Sequence, residues 1–178
     1  MAGPVYTYCP RCATALEMQM MSDRARPTCP ACGFIQFHDP KVAVIGLVIC
    51  DEHVLLTKRA VNPEMGKWSL PGGFMDAGEM PTAALQRELM EEIGLPVVVN
   101  DLLEILPMLV ADAAAPNGQV NRGIVLAYAA TPRSGTREQL QAHDDVQDVC
   151  WFTAETIPPD LAFESTQKLI ALWRDQHR

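Results

Sequence analysis

The chain has 178 residues, enough for one domain of ordinary size and a small appendage. It carries 14 Lys+Arg against 22 Asp+Glu, a net charge of −8, which argues against a protein that works by neutralising nucleic-acid phosphates. Hydrophobic residues make up 48%, too many for a disordered chain, and the longest apolar run, 42–50, is too short to cross a bilayer. No basic region followed by a long apolar stretch opens the chain, so no secretory signal or membrane association is expected, and the cytoplasm is the expected compartment.

Residues 1–40 read as a separate unit, rich in Cys and Pro and poor in large apolar side chains. Such a segment needs a staple to fold. From 41 the character changes. The β-branched run 42–50 and its neighbour 53–59 read as paired strands joined by a tight turn at Asp51-Glu52. Pro71-Gly72-Gly73 reads as a strong breaker. The stretch 81–92 reads as a helix: Pro81 suits its first turn, Ala83, Ala84, Leu85 and Leu89 supply an apolar stripe, and Gly94 ends it. Beyond it, 97–110 reads as one or two strands broken at Pro107, and 112–121 as a loop. Strands are expected at 123–130 and 149–152, and a helix at 163–176. Mixed strands and helices make this an α/β chain.

The six cysteines divide into four and two. Cys9-x-x-Cys12 and Cys29-x-x-Cys32 are separated by 16 residues, the spacing of a four-thiolate zinc site. Gly33 supplies the left-handed turn after the second pair, whereas Ala13 stands at the matching place in the first. A redox dithiol is the competing reading. A closed four-sulfur shell leaves no position for substrate, so this zinc would be structural. Within 1–40 three Arg balance three acids, and four thiolates around one Zn²⁺ add −2, which favours a scaffold or dimer-contact role over DNA binding.

Glu88, Glu91 and Glu92 lie at i, i+3 and i+4 of the expected helix, on one face and in its last turn. There they repel one another and oppose the helix dipole. Violations of this kind mark functional sites, and a hard divalent cation, Mg²⁺ or Mn²⁺, resolves both conflicts. A solvated acidic face is the competing reading. The segment 73–95 reads G-x5-E-x7-R-E-U-x-E-E-x-G-U, where U is a bulky aliphatic residue, with Gly73, Glu79, Arg87, Glu88, Glu91, Glu92 and Gly94 at fixed positions.

This pattern is the Nudix box, and the chain resembles the Nudix hydrolases. The resemblance covers about 41–178, and the four cysteines extend it to the subgroup with an N-terminal zinc ribbon. It implies a Nudix α/β/α sandwich with a mixed sheet (41–178) preceded by a small zinc ribbon (1–40). It also implies hydrolysis of a pyrophosphate linkage in a nucleoside diphosphate joined to another moiety. Glu88 and Glu92 would be the main Mg²⁺ or Mn²⁺ ligands, Glu91 a further ligand or the holder of an activating water, and a Gly72 or Gly73 carbonyl would complete a shell. Arg87 and Glu79 would brace loop against helix. Asp145, upstream of Trp151-Phe152, is the candidate base outside the box, with Asp144 and Asp148 beside it and a plain polar turn as the alternative. Arg59 is a candidate phosphate contact or a structural ion pair. Trp68 either stacks a base or packs in the core.

The segments 24–33 and 37–44 resemble enzymes acting on ADP-ribose or FAD, although Asp39-Pro40 stands where those relatives often have Asn-Pro. No motif of the NADH-cleaving members follows the box. The coenzyme A pattern begins at 55–60 but fails at Glu64. ADP-ribose or FAD therefore ranks first and other dinucleotides next, with oxidised nucleoside triphosphates or a non-catalytic nucleotide-sugar sensor as further alternatives. The expected partner is a small nucleotide, with no nucleic acid and no membrane. Relatives of this family are often dimers, so a homodimer is an expected state.

Overall fold

The computed structural model describes residues 6–37, 39–111, 119–135, 137 and 140–176. The chain falls into two compact units, Met1–Pro40 and Lys41–Arg178. Among the described residues no helix is long and apolar enough to cross a membrane.

In the first unit, β1 (Glu17–Met21) and β2 (Arg24–Thr28) form an antiparallel hairpin, Glu17 opposite Thr28. Two tight turns flank it and share one geometry. The Ala13 N–H donates to the Cys9 carbonyl at 2.8 Å, and the Gly33 N–H to the Cys29 carbonyl at 3.0 Å. Both turns end in a left-handed residue, Ala13 at φ 58° and Gly33 at φ 72°. Ala13 therefore accepts a conformation that glycine adopts without steric cost.

The second unit is built on a seven-stranded mixed sheet. β3 (Lys41–Cys50) turns at Asp51-Glu52 into β4 (His53–Arg59). β5 (Trp68–Ser69) pairs with β4, and β6 (Gly72–Phe74) pairs with β3. β7 (Val97–Ala111), β8 (Gln119–Pro132) and β9 (Val146–Phe152) complete it. The path runs β5-β4-β3-β8-β7, with β3 and β8 parallel over eight residue pairs and β9 alongside β4.

One helix covers each face. α1 (Pro81–Ile93) buries Leu85, Leu89 and Ile93 against Val44, Val48 and Leu55. α2 (Glu164–Gln176) buries Leu169, Ile170 and Trp173 against Val54, Leu56 and Val125. Because neighbouring strand residues face opposite sides, Val54 and Leu56 feed one core and Leu55 the other. Both faces are covered, so the central strands are apolar throughout rather than alternating. The unit is the α/β sandwich that the sequence implies.

Three expectations are corrected. Pro71-Gly72-Gly73 does not simply break the chain: Gly72–Phe74 is strand β6. Gly72 can join it because its φ is 140° and it has no β-carbon to strike the Val44 carbonyl. Pro107 does not split 97–110. β7 runs through it, with the register shifting between Pro107 and Leu109, since β7 ends the sheet path and a missing N–H is tolerated there. The expected loop 112–121 lies outside the described residues at 112–118, while 119–121 belong to β8.

Candidate active site

α1 starts with Pro81 at its first position, with no side-chain cap on Met80. It ends at Gly94, φ 68°, where the N–H groups of Gly94 and Leu95 donate to the Met90 and Leu89 carbonyls at 3.1 and 3.2 Å. That left-handed stop fixes the last turn and the three glutamates it carries. Their surroundings differ.

Glu92 is 7% exposed, and its Oε2 accepts the Gly72 N–H at 3.1 Å. Burial pushes its pKa up to about 8, Asp145 and Glu88 push the same way, and the Gly72 N–H and Arg59 oppose them. Burial also raises Glu88, against the pull of Arg87. Gly73 lies beneath the Glu88 carboxylate, where a β-carbon would meet its Cδ at 2.5 Å and its Oε1 at 2.7 Å. Glu91 is the outermost of the three, with half its side chain in solvent.

Arg87 joins these groups. Its Nε and Nη2 donate to the two oxygens of Glu79 at 2.9 Å, Nη1 to Glu88 and Glu91 at 2.9 Å each, and Nη2 also to the Phe74 carbonyl at 3.1 Å. The pair with Glu79 holds that carboxyl below its ordinary range. Arg87 therefore does more than link loop to helix, since it also ties down two of the three box carboxylates. With Arg87 between them and Glu92 held by the Gly72 N–H, the glutamates do not converge on one point.

Of the three aspartates near β9, Asp145 is half-buried and bears electrostatically on both Glu88 and Glu92. Asp144 and Asp148 are exposed. Asp145 is thus the one whose charge the box glutamates feel.

A cavity of about 730 Å³ opens beside Gly72 and Gly73. Arg59, Lys67, Met108 and Phe163 also line it. Arg59 forms no salt bridge among the described residues. Its Nε donates to the Pro63 carbonyl at 2.7 Å, and its guanidinium covers the Phe163 ring at 4.9 Å. Lys67 pairs with Glu64. Trp68 lies outside the cavity lining and packs edge-on against Phe152, with ring centroids 5.0 Å apart. Phe163 and Met108 were not legible as site residues, because nothing local distinguishes them. Only the tertiary pairing brings β7 and the start of α2 to the glycines.

In the first unit Cys9, Cys12, Cys29 and Cys32 gather with all four sulfurs within 4.8 Å of one another. Among the described residues no other three His, Cys, Asp or Glu side chains meet that closely. The Cys9–Cys32, Cys12–Cys29 and Cys12–Cys32 sulfur distances are 3.6, 3.5 and 3.6 Å. A disulfide would need about 2.05 Å. A tetrahedral zinc with ~2.3 Å bonds sets sulfurs about 3.8 Å apart, close to what is found. The cluster fits zinc.

The fold and the box together define a pyrophosphohydrolase. Residues 39–173 match the NUDIX domain, and the chain belongs to the Nudix family. It is 36% identical over 125 residues to an ADP-ribose pyrophosphatase of Methanocaldococcus jannaschii, covering 70% of this chain and 68% of that protein. It is 28% identical over 153 residues to the NAD-capped RNA hydrolase NudC of Pseudomonas aeruginosa. That alignment covers 85% of this chain but 49% of NudC, so the chain spans about half of that relative's length. Among solved structures, a NUDIX hydrolase from Nitrosomonas europaea superposes with a TM-score of 0.81 at 25% identity, covering 96% of this chain and 92% of that one.

Proposed function

We propose that residues 41–178 form a catalytic domain that hydrolyses the pyrophosphate linkage of ADP-ribose or FAD, and that residues 1–40 form a structural zinc ribbon. The observation that carries this reading is the cavity beside Gly72 and Gly73. Its volume of about 730 Å³ suits a ligand larger than a mononucleotide, and its lining includes Gly72, whose N–H holds Glu92, and Gly73, which lies against Glu88. The resemblance to an archaeal ADP-ribose pyrophosphatase supports the same substrate.

In this reading Glu88, Glu92, Glu91 and a Gly73 carbonyl would hold Mg²⁺ or Mn²⁺. The donor set is of the kind a hard cation takes: all its atoms are oxygens, and Glu92, buried and raised in pKa, would gain most from a positive neighbour. When bound, such a cation neutralises phosphate oxygens and makes water acidic enough to attack. Asp145 would accept the proton of the attacking water, whose oxygen adds to one phosphorus as the bridging P–O bond breaks. Each product keeps one phosphate. Arg59 contacts the phosphates from the cavity rim. Arg87 and Glu79 keep the glutamates in place.

Product analysis tests this directly. The protein would be incubated with Mg²⁺ or Mn²⁺ and ADP-ribose, FAD, NADH, coenzyme A, diadenosine polyphosphates or 8-oxo-dGTP. AMP with ribose 5-phosphate, or AMP with FMN, is the expected result. Pyrophosphate released from the triphosphate alone would move the enzyme to nucleotide-pool cleaning. Binding without turnover of any compound would make it a sensor.

A further inference from the structure

Thr166 lies in the first turn of α2 and is 2% exposed. The other buried residues of the helix are Leu169, Ile170 and Trp173, and Thr166 itself stands at the edge of that core, where it also lines the cavity. Valine has the same shape and would suit this setting better, since burying a hydroxyl is costly unless it is bonded. The hydroxyl has a partner: Thr166 Oγ1 accepts the N–H of Leu70 at 3.3 Å, across 96 residues of chain. Leu70 is itself buried, at 3%.

The place of that bond is what gives it meaning. Two residues after the Leu70 N–H comes the Gly72 N–H, which donates to Glu92 Oε2 at 3.1 Å. Between them the Pro71 carbonyl accepts the Gly46 N–H at 2.9 Å. The short segment Leu70-Pro71-Gly72 is thus held by α2 at one end and by β3 in the middle, and it holds a carboxylate of α1 at the other end. α2 and α1 cover opposite faces of the sheet. The Thr166 hydroxyl therefore links the helix on one face to the carboxylate on the other.

We propose that Thr166 is a positioning residue for the hydrolysis, setting the Gly72 N–H and through it the orientation of Glu92. This rests on the assignment of Glu92 to the metal site. Small displacements of such groups are expensive, since about 1 Å of misplacement can cost on the order of a hundredfold in rate.

The test compares Thr166→Ser, Thr166→Cys and Thr166→Val in the full chain, with Glu92→Gln alongside. Ser and Cys share a shape and differ in the strength of the acceptor. Mn²⁺ affinity is measured by calorimetry or electron paramagnetic resonance without substrate, and kcat and KM with substrate. All are read at a temperature where circular dichroism shows each variant folded. The expected result is that Ser stays within about twofold of the parent. Cys and Val should lose at least about fivefold in Mn²⁺ affinity and about tenfold or more in kcat, with KM little changed. Cys and Val behaving like the parent would overturn the inference, as would equal losses in all three, which would indicate packing alone. If Glu92→Gln binds Mn²⁺ as the parent does, the assignment of Glu92 fails and takes this inference with it. If Glu92→Gln is inert and Cys matches Ser, only the role of Thr166 fails.

Discussion

Gly73 lies directly under the carboxylate of Glu88, so close that a single added methyl group would overlap it: a β-carbon there would stand 2.5 Å from Glu88 Cδ. The obstructing atoms are the far end of a flexible side chain, which can swing away. Gly72 is different. Its φ is 140°, and a β-carbon there would strike the Val44 backbone, including the carbonyl oxygen. Backbone cannot swing away. Gly73→Ala should therefore fold with nearly parental thermal stability yet lose about tenfold or more in kcat, because it displaces Glu88, a proposed metal ligand. Gly72→Ala should lose about 2–4 kcal/mol of stability, from strain at the positive φ and the backbone clash. Melting curves and steady-state kinetics on the two variants separate the cases. The idea fails if Gly73→Ala is the less stable variant and the more active one.

Glu92 couples the site to pH. Its folded pKa is pushed from 4.5 up to about 8, chiefly by burial. Between those values the folded state holds a proton that the unfolded chain has released. Folding is then favoured at low pH, and that stability is lost as pH rises through about 8. The whole effect is at most about 5 kcal/mol across the window. Chelator-treated protein should melt at lower temperature at pH 8 than at pH 6, and Glu92→Gln, which cannot ionise there, should flatten the trend. The Gln variant should also be folded and lose at least about a hundredfold in metal-dependent turnover. Because a cation competes with that proton, Mg²⁺ should raise the melting temperature more at pH 8 than at pH 6. A Gln variant with parental activity would refute the assignment.

What the sequence makes legible is whatever short-range spacing controls. Glu88, Glu91 and Glu92 share a helical face by arithmetic, Gly94 ends that helix at φ 68°, and paired CxxC turns bring four thiols together. What it hides depends on distant pairing. Gly72-Gly73 looks like a break, and becomes strand β6 only because β3 lies beside it. Pro107 looks like the end of a strand, and is tolerated because β7 ends the sheet path. The hairpin of β1 and β2 was missed because its alternating Met18 and Met20 are exposed, at 62% and 68%, rather than buried against a core. Phe163 reads as the first residue of a helix. It instead precedes α2 at φ 56° and meets the Arg59 guanidinium, a contact that no local pattern encodes.

Arg87 offers a sharper test of how the box is organised. One guanidinium serves Glu79, Glu88 and Glu91 together, with its side chain 30% exposed. Arg87→Lys keeps the charge but cannot present five donors in a fixed fork. It should cost little stability, about 1 kcal/mol, because the group is partly solvated. Activity should fall further, by about tenfold or more, since Glu88 and Glu91 lose their common anchor. A Lys variant with full activity and unchanged Mg²⁺ dependence would reduce Arg87 to a simple charge.

The cysteine cluster makes a prediction that is independent of catalysis. Three of the six sulfur separations are 3.5–3.6 Å and all lie within 4.8 Å, near the edge length of a zinc tetrahedron. The hairpin of β1 and β2 has few buried apolar residues of its own, so a zinc bound there would supply much of the folding energy of this unit. Protein purified without chelator should carry one zinc per chain, and Cys29→Ser should lose it. The amide signals of residues 9–36 should then collapse into the unfolded range while those of the sheet in 41–176 stay in place. Metal analysis that finds no zinc, or a Cys29→Ser variant whose hairpin signals persist, would return the four thiols to the redox reading.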